Sequence, residues 1–255
     1  MKIGFSTGSI ALGDVRRGVD VAKCGNANAI ELSALREDEL DPLLRSLDAL
    51  QEELRDFTYI SFHAPSKREK LSESELIAKL KPVASRGWAI IVHPDVISNF
   101  SLWKELGGAV CIENMDKRKH VGRTAFQLQH IFDELPEATF CFDIGHAWQV
   151  DPTMQEAQSL LKAFGKRLRQ VHMSYVNSKC RHERLNFESV QAYKKVFHWL
   201  DQSVPVILET PVQMSEVKSE LETARSIFSD SGGKENGKGK ATKPWTHPWE
   251  MSGHE

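Results

Sequence analysis

The sequence has few cysteines, few aromatic residues and no long uninterrupted hydrophobic run. Its four cysteines, Cys24, Cys111, Cys141 and Cys180, are far apart and form no Cys-x-x-Cys pair, so a reducing, cytoplasmic setting is predicted. No stretch of about 18 apolar residues occurs, and therefore no membrane-spanning segment is predicted. The segment MKIGFSTGSI has one lysine and no long apolar region, which indicates a first strand rather than a signal peptide.

The chain also lacks an excess of charge of either sign. It has 33 basic and 35 acidic residues, and the formal net charge of −2 gives no global argument for binding nucleic acid or an anionic membrane. Nucleic acid stays open as a substrate, but only through a local basic patch, and it is not favoured. A chain of 255 residues is long enough for one large α/β barrel or two smaller domains.

Short apolar segments alternate with segments of helical periodicity eight times along the chain. The apolar segments are KIGFST, AIEL, TYISFH, WAIIVH, AVCIEN, TFCFDIG, RQVHMSY and VPVILET. Continuous short apolar runs are typical of parallel strands that are buried on both faces. An open doubly wound sheet would favour a glycine-rich phosphate turn after the first strand, which FSTGSIALG matches only weakly. Eight repeats therefore favour an α/β fold with a single (β/α)8 TIM barrel over residues 1–228.

The composition changes at about residue 229. Residues 229–255 are rich in glycine, lysine and polar side chains, and no apolar period continues through them. Such a segment cannot bury enough apolar surface to offset the entropy lost on ordering, so a disordered C-terminal tail is expected. Trp245, His247 and Trp249 leave a docking motif in this tail as an alternative.

Side chains that bind metals stand at the ends of the predicted strands. In a TIM barrel the C-terminal ends of all strands meet at one mouth, where active sites are built. A single strand-end histidine or acid is more often a hydrogen-bonded structural residue or a helix cap. Here the pattern recurs on six consecutive strands, and its members are His63, His93, Glu113, Asp143, His146, His172 and Glu209.

This cluster predicts a metal centre, because buried acids are costly unless they are paired or coordinated to a cation. Mixed imidazole and carboxylate ligands suit Zn²⁺, Mn²⁺ or another divalent transition metal, with one to three ions as the expected number. The loop VNSKCRHERLN adds His182 as a candidate ligand. Cys180 in the same loop is either a thiolate ligand or an incidental thiol.

Basic residues follow the third and the seventh predicted strand. Basic side chains on mouth loops commonly hold phosphate or carboxylate groups, although a solvated surface is the competing interpretation. We take Lys67, Arg181 and Arg184 as candidate contacts to a small anionic or polyhydroxy substrate. A homo-oligomer is compatible with the sequence.

The strand endings SFHAPS, IVHP, CIEN, FDIGHAW, VHMS and ILET resemble, in this order, those of the xylose isomerase-like TIM-barrel superfamily. This group includes sugar isomerases and epimerases, and also endonuclease IV; the resemblance covers roughly residues 1–226. Similarity to the epimerase branch implies one divalent metal, with Glu113 and Glu209 as the catalytic groups that exchange a substrate proton. The metal ligands implied by that branch are Glu113, Asp143, His172 and Glu209.

Similarity to endonuclease IV implies three zinc ions instead. The first would be bound by His63, His93 and Glu113, the second by Asp143, His172 and Glu209 with Glu113 bridging, and the third by His146 and His182. Cys180 stands where that branch has an aspartate, which leaves the third site altered or empty.

The compact length, short loops and negative net charge favour a small substrate. The leading hypothesis is therefore an isomerase or epimerase of a small sugar or sugar phosphate, acting by carboxylate-mediated proton transfer. The alternative is a multinuclear zinc phosphoesterase resembling endonuclease IV, with cleavage at abasic sites in DNA as one form of it. Retention of His63, His93 and His182 favours the alternative, since a one-metal isomerase does not need them all.

Overall fold

The computed structural model describes residues 1–229, and within them eight parallel strands close into a barrel. The barrel strands are β1 (Ile3–Ser6), β2 (Ala29–Ser33), β3 (Tyr59–His63), β4 (Ala89–Val92), β5 (Val110–Glu113), β6 (Thr139–Asp143), β7 (Leu168–Met173) and, after a short hairpin, β10 (Val206–Leu208). Neighbouring strands follow chain order around the barrel, and β10 pairs with β1 to close it. The predicted single (β/α)8 barrel is confirmed.

Helices connect the strands on the outside of the barrel. They are α1 (Thr7–Ile10), α2 (Val15–Cys24), α3 (Glu37–Ser46), α4 (Gln51–Leu54), α5 (Glu73–Ala84), α6 (Phe100–Trp103), α7 (Ala125–Glu134), α8 (Ile144–Val150), α9 (Gln155–Phe164), α10 (Phe187–Phe197) and α11 (Val217–Ser229). Most bury one apolar stripe, as α5 does with Leu76, Ile77, Leu80 and Val83 at helical spacing. Across residues 1–229, no helix is both long enough and apolar enough to cross a membrane.

The hairpin between β7 and α10 consists of β8 (Tyr175–Val176) and β9 (His182–Glu183), which pair antiparallel. It carries His182, which the sequence placed in an irregular loop. At the C-terminal end of the described residues, α11 runs to Ser229, the first residue of the predicted tail of residues 229–255. The rest of that tail, with Trp245, His247 and Trp249, lies outside the described residues.

The segment after β6 differs from the prediction of a strand through residue 145. The strand ends at Asp143, whose side chain accepts a hydrogen bond of 2.6 Å from the backbone N–H of His146 and thereby caps α8. Residues 144–149 are all buried, so this helix has no polar face and no amphipathic period to reveal it. The helical segment after β2 is divided into α3 and α4 by a turn at residues 47–50, although its leucines keep a helical spacing across the turn.

The interior of the barrel changes character along its axis. Ala89, Ile91, Cys111 and Cys141 form a small apolar cluster, in which both cysteines are free and buried. Because side chains alternate between the two faces of a strand, the residue two positions further along each strand also points inward. These residues are His93, Glu113 and Asp143. The alternation therefore places metal-binding side chains directly above an apolar layer.

Candidate metal centre

All eight candidate ligands meet at the mouth of the barrel. They form three adjoining groups, and the ligand atoms of each group lie within 4.8 Å of one another. The groups are His63, His93 and Glu113; then Glu113, Asp143, His172 and Glu209; then Asp143, His146 and His182. Glu113 belongs to the first and second groups and Asp143 to the second and third, so carboxylates join the three into one cluster.

The first group brings two imidazole nitrogens close to one carboxylate oxygen. Glu113 Oε2 lies 3.4 Å from His63 Nε2 and 3.3 Å from His93 Nε2, yet this buried oxygen has no hydrogen-bond partner. His63 Nδ1 lies 2.7 Å from the Ala64 carbonyl oxygen, a contact that requires the imidazole proton on Nδ1. His63 Nε2 is therefore the ring nitrogen that faces Glu113, and although burial opposes it, the carboxylates of Glu113 and Glu31 raise the pKa of this imidazole to about 9. A cation between these atoms would compensate Glu113 Oε2 and bind both Nε2 atoms, and His93 Nδ1 would stay buried without a hydrogen-bond partner.

The second group is built around His172 and three carboxylates. His172 Nδ1 lies 3.2 Å from Glu113 Oε1 and 3.6 Å from Glu209 Oε1. Asp143 is 0% exposed, and its Oδ2 atom has no hydrogen-bond partner. Unpaired buried carboxylate oxygens are expensive, and a divalent cation is the ligand that would compensate them.

The third group depends on α8 and the β8–β9 hairpin. The rings of His146 and His182 pack edge to face, with their centroids 5.2 Å apart, and His146 Nδ1 lies 3.3 Å from Asp143 Oδ2. Gly145 allows α8 to approach β7 closely, because a Cβ atom at this position would lie 2.6 Å from the carbonyl oxygen of Ser174. The backbone of α8 thus brings His146 up to the cluster.

The electrostatics of the cluster indicate an excess of buried negative charge. Burial, reinforced by the charge of Glu113, raises the pKa of Asp143 well above its usual range. Burial, together with Glu113 and Asp143 and against the effect of His172, raises the pKa of Glu209 to about 8. Burial also opposes ionisation of Glu113, but the imidazoles of His172, His63 and His93 hold its pKa well below the usual range. The cluster therefore requires protons or cations, and metal binding would replace protons.

Two buried acids of the mouth were missed by the sequence reasoning. Glu31 on β2 is 0% exposed and lies 2.9 Å from His172 Nε2. Asp116, also 0% exposed, lies 3.9 Å from His146 Nε2 and pairs with Arg118. The signal for Glu31 was present, since it is the one charged residue in the apolar run AIEL. Asp116 lies three positions beyond Glu113, in a polar segment that gave no such contrast.

The centre opens into a cavity of about 360 Å³. His63, His93, Glu113, His146, His182 and Glu209 line it, together with the basic residues Arg118 and Lys119. Lys119 Nζ is held 2.5 Å from Asp95 Oδ2. A second cavity of about 680 Å³ lies beside it, and Leu35 and Ser66 line both. The basic residues that border the centre itself therefore follow β5, where the sequence reasoning had not looked for them.

The predicted substrate contacts lie further from the centre. Lys67 is exposed and lines the larger cavity. Arg181 is exposed in the β8–β9 turn and borders neither cavity. Arg184 donates to Glu220 at 3.0 Å and to Glu216 at 2.7 Å, which ties its guanidinium to the α11 end of the chain. For Arg181 and Arg184, substrate binding stays a prediction without geometric support.

Cys180 is buried, and its Sγ accepts a hydrogen bond of 2.9 Å from Gln149 Nε2. It belongs to none of the metal-binding groups found within residues 1–229. Of the two interpretations of this thiol, the geometry therefore favours the one without a metal.

A family model described as a xylose isomerase-like TIM barrel matches residues 99–227, just over half of the chain. The chain belongs to this family. Its superfamily members are enzymes of several kinds, among them isomerases, a dehydratase and endonuclease IV, and many of them use divalent metals. A search of curated proteins found no match.

Solved structures of this superfamily share the fold. Endonuclease IV from Thermus thermophilus is 21% identical, with a TM-score of 0.59 over 89% of this chain and 99% of that one. The probable 3-DHS dehydratase AsbF from Bacillus anthracis is 15% identical, with a TM-score of 0.60 over 88% and 99%. A sugar phosphate isomerase/epimerase from Parabacteroides distasonis is 14% identical, with a TM-score of 0.52 over 90% and 98%. At these identities the likeness establishes the fold and leaves the reaction open.

Proposed function

We propose that this protein is a metal-dependent phosphoester hydrolase whose barrel mouth binds two or three divalent ions. The observation that carries the proposal is the sharing of Glu113 and Asp143 among three adjoining groups of ligands. A one-metal isomerase would use the four residues of the second group and leave His63, His93 and His182 without a metal to bind. The geometry thus supports the hypothesis that the sequence had ranked second.

Each surplus imidazole faces a carboxylate that the second group already uses. His63 and His93 both face Glu113 Oε2, and His182 Nδ1 lies 3.5 Å from Glu209 Oε2. A carboxylate with its two oxygens directed at different imidazole groups is suited to hold two cations side by side. Glu113 meets this description, since its Oε1 contacts His172 and its Oε2 contacts the other pair.

Divalent ions, when bound, acidify water and neutralise the charge that develops on a phosphoester during hydrolysis. The chain contributes the walls of the cavity and their charge. Arg118 and Lys119 line the cavity beside the ligands and would face the negative oxygens of a bound phosphoester. Their aspartate partners, Asp116 and Asp95, hold the two side chains in place.

The similarity to endonuclease IV makes DNA one substrate class to test, beside small phosphodiesters. The substrate itself is not specified by the metal ligands. The smaller cavity of about 360 Å³ would accommodate a single phosphoester group with its immediate substituents. The adjoining larger cavity gives space for further parts of a longer substrate.

A second candidate is the isomerase or epimerase of a small sugar or sugar phosphate. The observation that favours it is the pairing of Glu113 and Glu209 in one four-residue group that opens into a cavity of small-molecule size. In that case one ion would be bound, and the two carboxylates would exchange a proton of the substrate.

The deciding experiment combines metal counting with activity. Protein without an affinity tag is loaded with Zn²⁺ or Mn²⁺, freed of excess metal and analysed for metal content per chain. It is then assayed on bis(4-nitrophenyl) phosphate, on an oligonucleotide with an abasic site, and on a panel of aldose and ketose phosphates. We expect two or three ions and hydrolysis of a phosphodiester. One ion together with isomerisation of a sugar phosphate would contradict the proposal and support the second candidate.

A further inference from the structure

Glu31 lies inside the barrel, below the ligands of the mouth. It is 0% exposed, and in the register of the sheet it stands opposite Ser6 on β1 and Ser61 on β3. Ser61 Oγ donates to Glu31 Oε2 at 3.1 Å. A carboxylate buried this deeply has to be compensated by partners, so the identity of its partners indicates its role.

The main partner of Glu31 is His172. His172 Nε2 lies 2.9 Å from Glu31 Oε2, while the other ring nitrogen, Nδ1, faces Glu113 at 3.2 Å. An imidazole that binds a metal through one nitrogen commonly donates the proton of the other to a carboxylate, which fixes both its tautomer and its orientation. His172 has this arrangement across the barrel, with Glu31 on the side away from the mouth.

Gln170 competes with Glu31 for the same ring nitrogen. Its Nε2 lies 2.8 Å from His172 Nε2 and 2.8 Å from Glu31 Oε2. Tyr59 donates its hydroxyl to Gln170 Oε1 at 2.7 Å, which keeps the amide nitrogen turned toward His172. With Gln170 alone, His172 Nε2 would act as the acceptor. The proton would then sit on Nδ1 and point at Glu113 and Glu209, where a metal ligand needs a lone pair.

We propose that Glu31 is a positioning residue that keeps the proton of His172 on Nε2, so that the Nδ1 lone pair is available to a metal ion. The inference rests on the proposed function in one respect, the presence of a metal at His172. Glu31 would not touch the substrate. Its contribution would be to decide, against Gln170, which tautomer the buried imidazole adopts.

One rival role for Glu31 is direct metal binding. Glu31, His63 and Glu209 also have ligand atoms within 4.8 Å of one another, and Glu31 Oε1 has no hydrogen-bond partner. This group, however, shares His63 and Glu209 with the first and second groups, so an ion there would compete with ions at both. The two roles predict different results when Glu31 is changed.

The test compares the wild-type protein with Glu31→Ala, Glu31→Gln and, as matched control, Ser61→Ala, which removes another partner of Glu31 and leaves His172 untouched. Each protein is labelled with ¹⁵N-histidine and titrated with Zn²⁺ against a chromophoric chelator. Long-range ¹H–¹⁵N spectra then report which nitrogen of His172 carries the proton. Melting curves identify any variant that fails to fold, and Glu31→Gln preserves the volume of the side chain.

We expect wild type and Ser61→Ala to show His172 protonated on Nε2 and to bind Zn²⁺ alike. Glu31→Ala should weaken one class of Zn²⁺ site by roughly 10–100-fold and leave unmetallated His172 protonated on Nδ1 and unprotonated on Nε2. Glu31→Gln should fall between, since its amide oxygen still accepts a hydrogen bond. Binding at the site of His63 and His93 should be unchanged.

Unchanged affinity and tautomer in Glu31→Ala would overturn the inference. Loss of one whole Zn²⁺ equivalent with the tautomer of His172 unchanged would also overturn it, because it would make Glu31 a ligand. A wild-type protein that binds Zn²⁺ but hydrolyses no phosphodiester would contradict the proposed function alone. A wild-type protein that binds no Zn²⁺ would contradict both.

Discussion

Two buried glutamates, Glu73 and Glu113, lie in regions of the molecule that differ in the hydrogen-bond donors they offer to a carboxylate. Glu73 begins α5 and accepts hydrogen bonds from the backbone N–H of Ser98 at 2.8 Å and from Trp103 Nε1 at 2.5 Å. The N–H of Asn99 adds a further donor at 3.1 Å. Glu113 is 1% exposed at the mouth, and its Oε2 has no hydrogen-bond donor at all.

Burial of an acid does not by itself indicate a functional site. Around Glu73, the N–H groups of Ser98, Asn99 and Trp103 satisfy the carboxylate and fasten the loop after β4 to α5, and the guanidinium of Arg68 lies 3.8 Å from Oε2. Around Glu113, the neighbours are imidazole nitrogens and other carboxylates, which leave an oxygen unsatisfied and converge on a point. A buried acid whose neighbours are carboxylates and imidazole nitrogens requires a cation. A buried acid whose neighbours are N–H donors does not.

Of the changes considered, Glu113→Gln should have the largest effect on activity and metal content. It removes a carboxylate shared by two groups of ligands, and because even an indirect partner of a metal ligand is worth about 10–100-fold, we expect activity to fall by at least about 100-fold. Metal analysis should show the loss of more than one ion per chain, and circular dichroism should show a folded barrel. Near-wild-type turnover of an identified substrate would show that Glu113 is not a shared ligand.

Removal of the bound metal ions should have the second-largest effect, which is a decrease in thermal stability. Bound ions stabilise the folded state by mass action, and at free metal about 1,000-fold above Kd this amounts to about 4 kcal/mol, or roughly 8–16 °C for a domain of this size. Chelation should therefore lower the Tm of the wild type strongly and that of Glu113→Gln much less. An equal decrease in both proteins would place the stabilising ions somewhere other than around Glu113.

Glu73→Gln should lower stability and spare the metals. The amide keeps one acceptor but turns a donor toward neighbouring N–H groups, which costs about 2 kcal/mol, or roughly 4–8 °C in Tm. Metal content should match the wild type, and chelation should lower the Tm of this variant by as much as it does in the wild type. Metal loss in Glu73→Gln would break the separation between the two regions.

The same variant has a pH signature. Burial opposes ionisation of Glu73, but the donors of Ser98 and Trp103 hold its pKa below 4.5. A carboxyl whose pKa is lowered by folding stabilises the native state above its unfolded pKa, and this contribution is lost as the pH falls. The stability difference between wild type and Glu73→Gln should therefore be full at pH 7 and shrink below about pH 4.5.

His93→Ala should have the smallest effect on folding. It compares the first group of candidate ligands with the group around His172. His93 belongs to the first group of candidate ligands only, so its loss should remove one ion and leave the group around His172 occupied. We expect metal content to fall by about one ion per chain with little change in Tm of the metal-free protein. Full metal content would remove the main support for a multinuclear centre.

The barrel and the cluster of candidate ligands at its mouth follow from the sequence alone. Eight alternations of apolar strand and amphipathic helix predict closure, and parallel strands that begin at one end must finish together at the other. Residues at strand ends, such as His63, Glu113 and His172, are therefore brought together whatever their separation in the chain. Their chemistry follows from residue type, and for this reason a cluster of candidate metal ligands was predictable.

Only the tertiary structure decided the partners of individual side chains. Glu31 and His172 are 141 positions apart, and their contact depends on how far each side chain reaches across the closed barrel. Arg184 was predicted to bind substrate, yet Glu220, 36 positions away, holds it at α11. Residues 144–149 of the helix α8 are all buried, so no amphipathic periodicity indicated this helix in the sequence. Hydrophobic periodicity shows which face of a helix or strand is buried. A hydrogen bond depends on differences in distance of about a few tenths of an ångström, and these distances are fixed only when all eight strands have closed into the barrel.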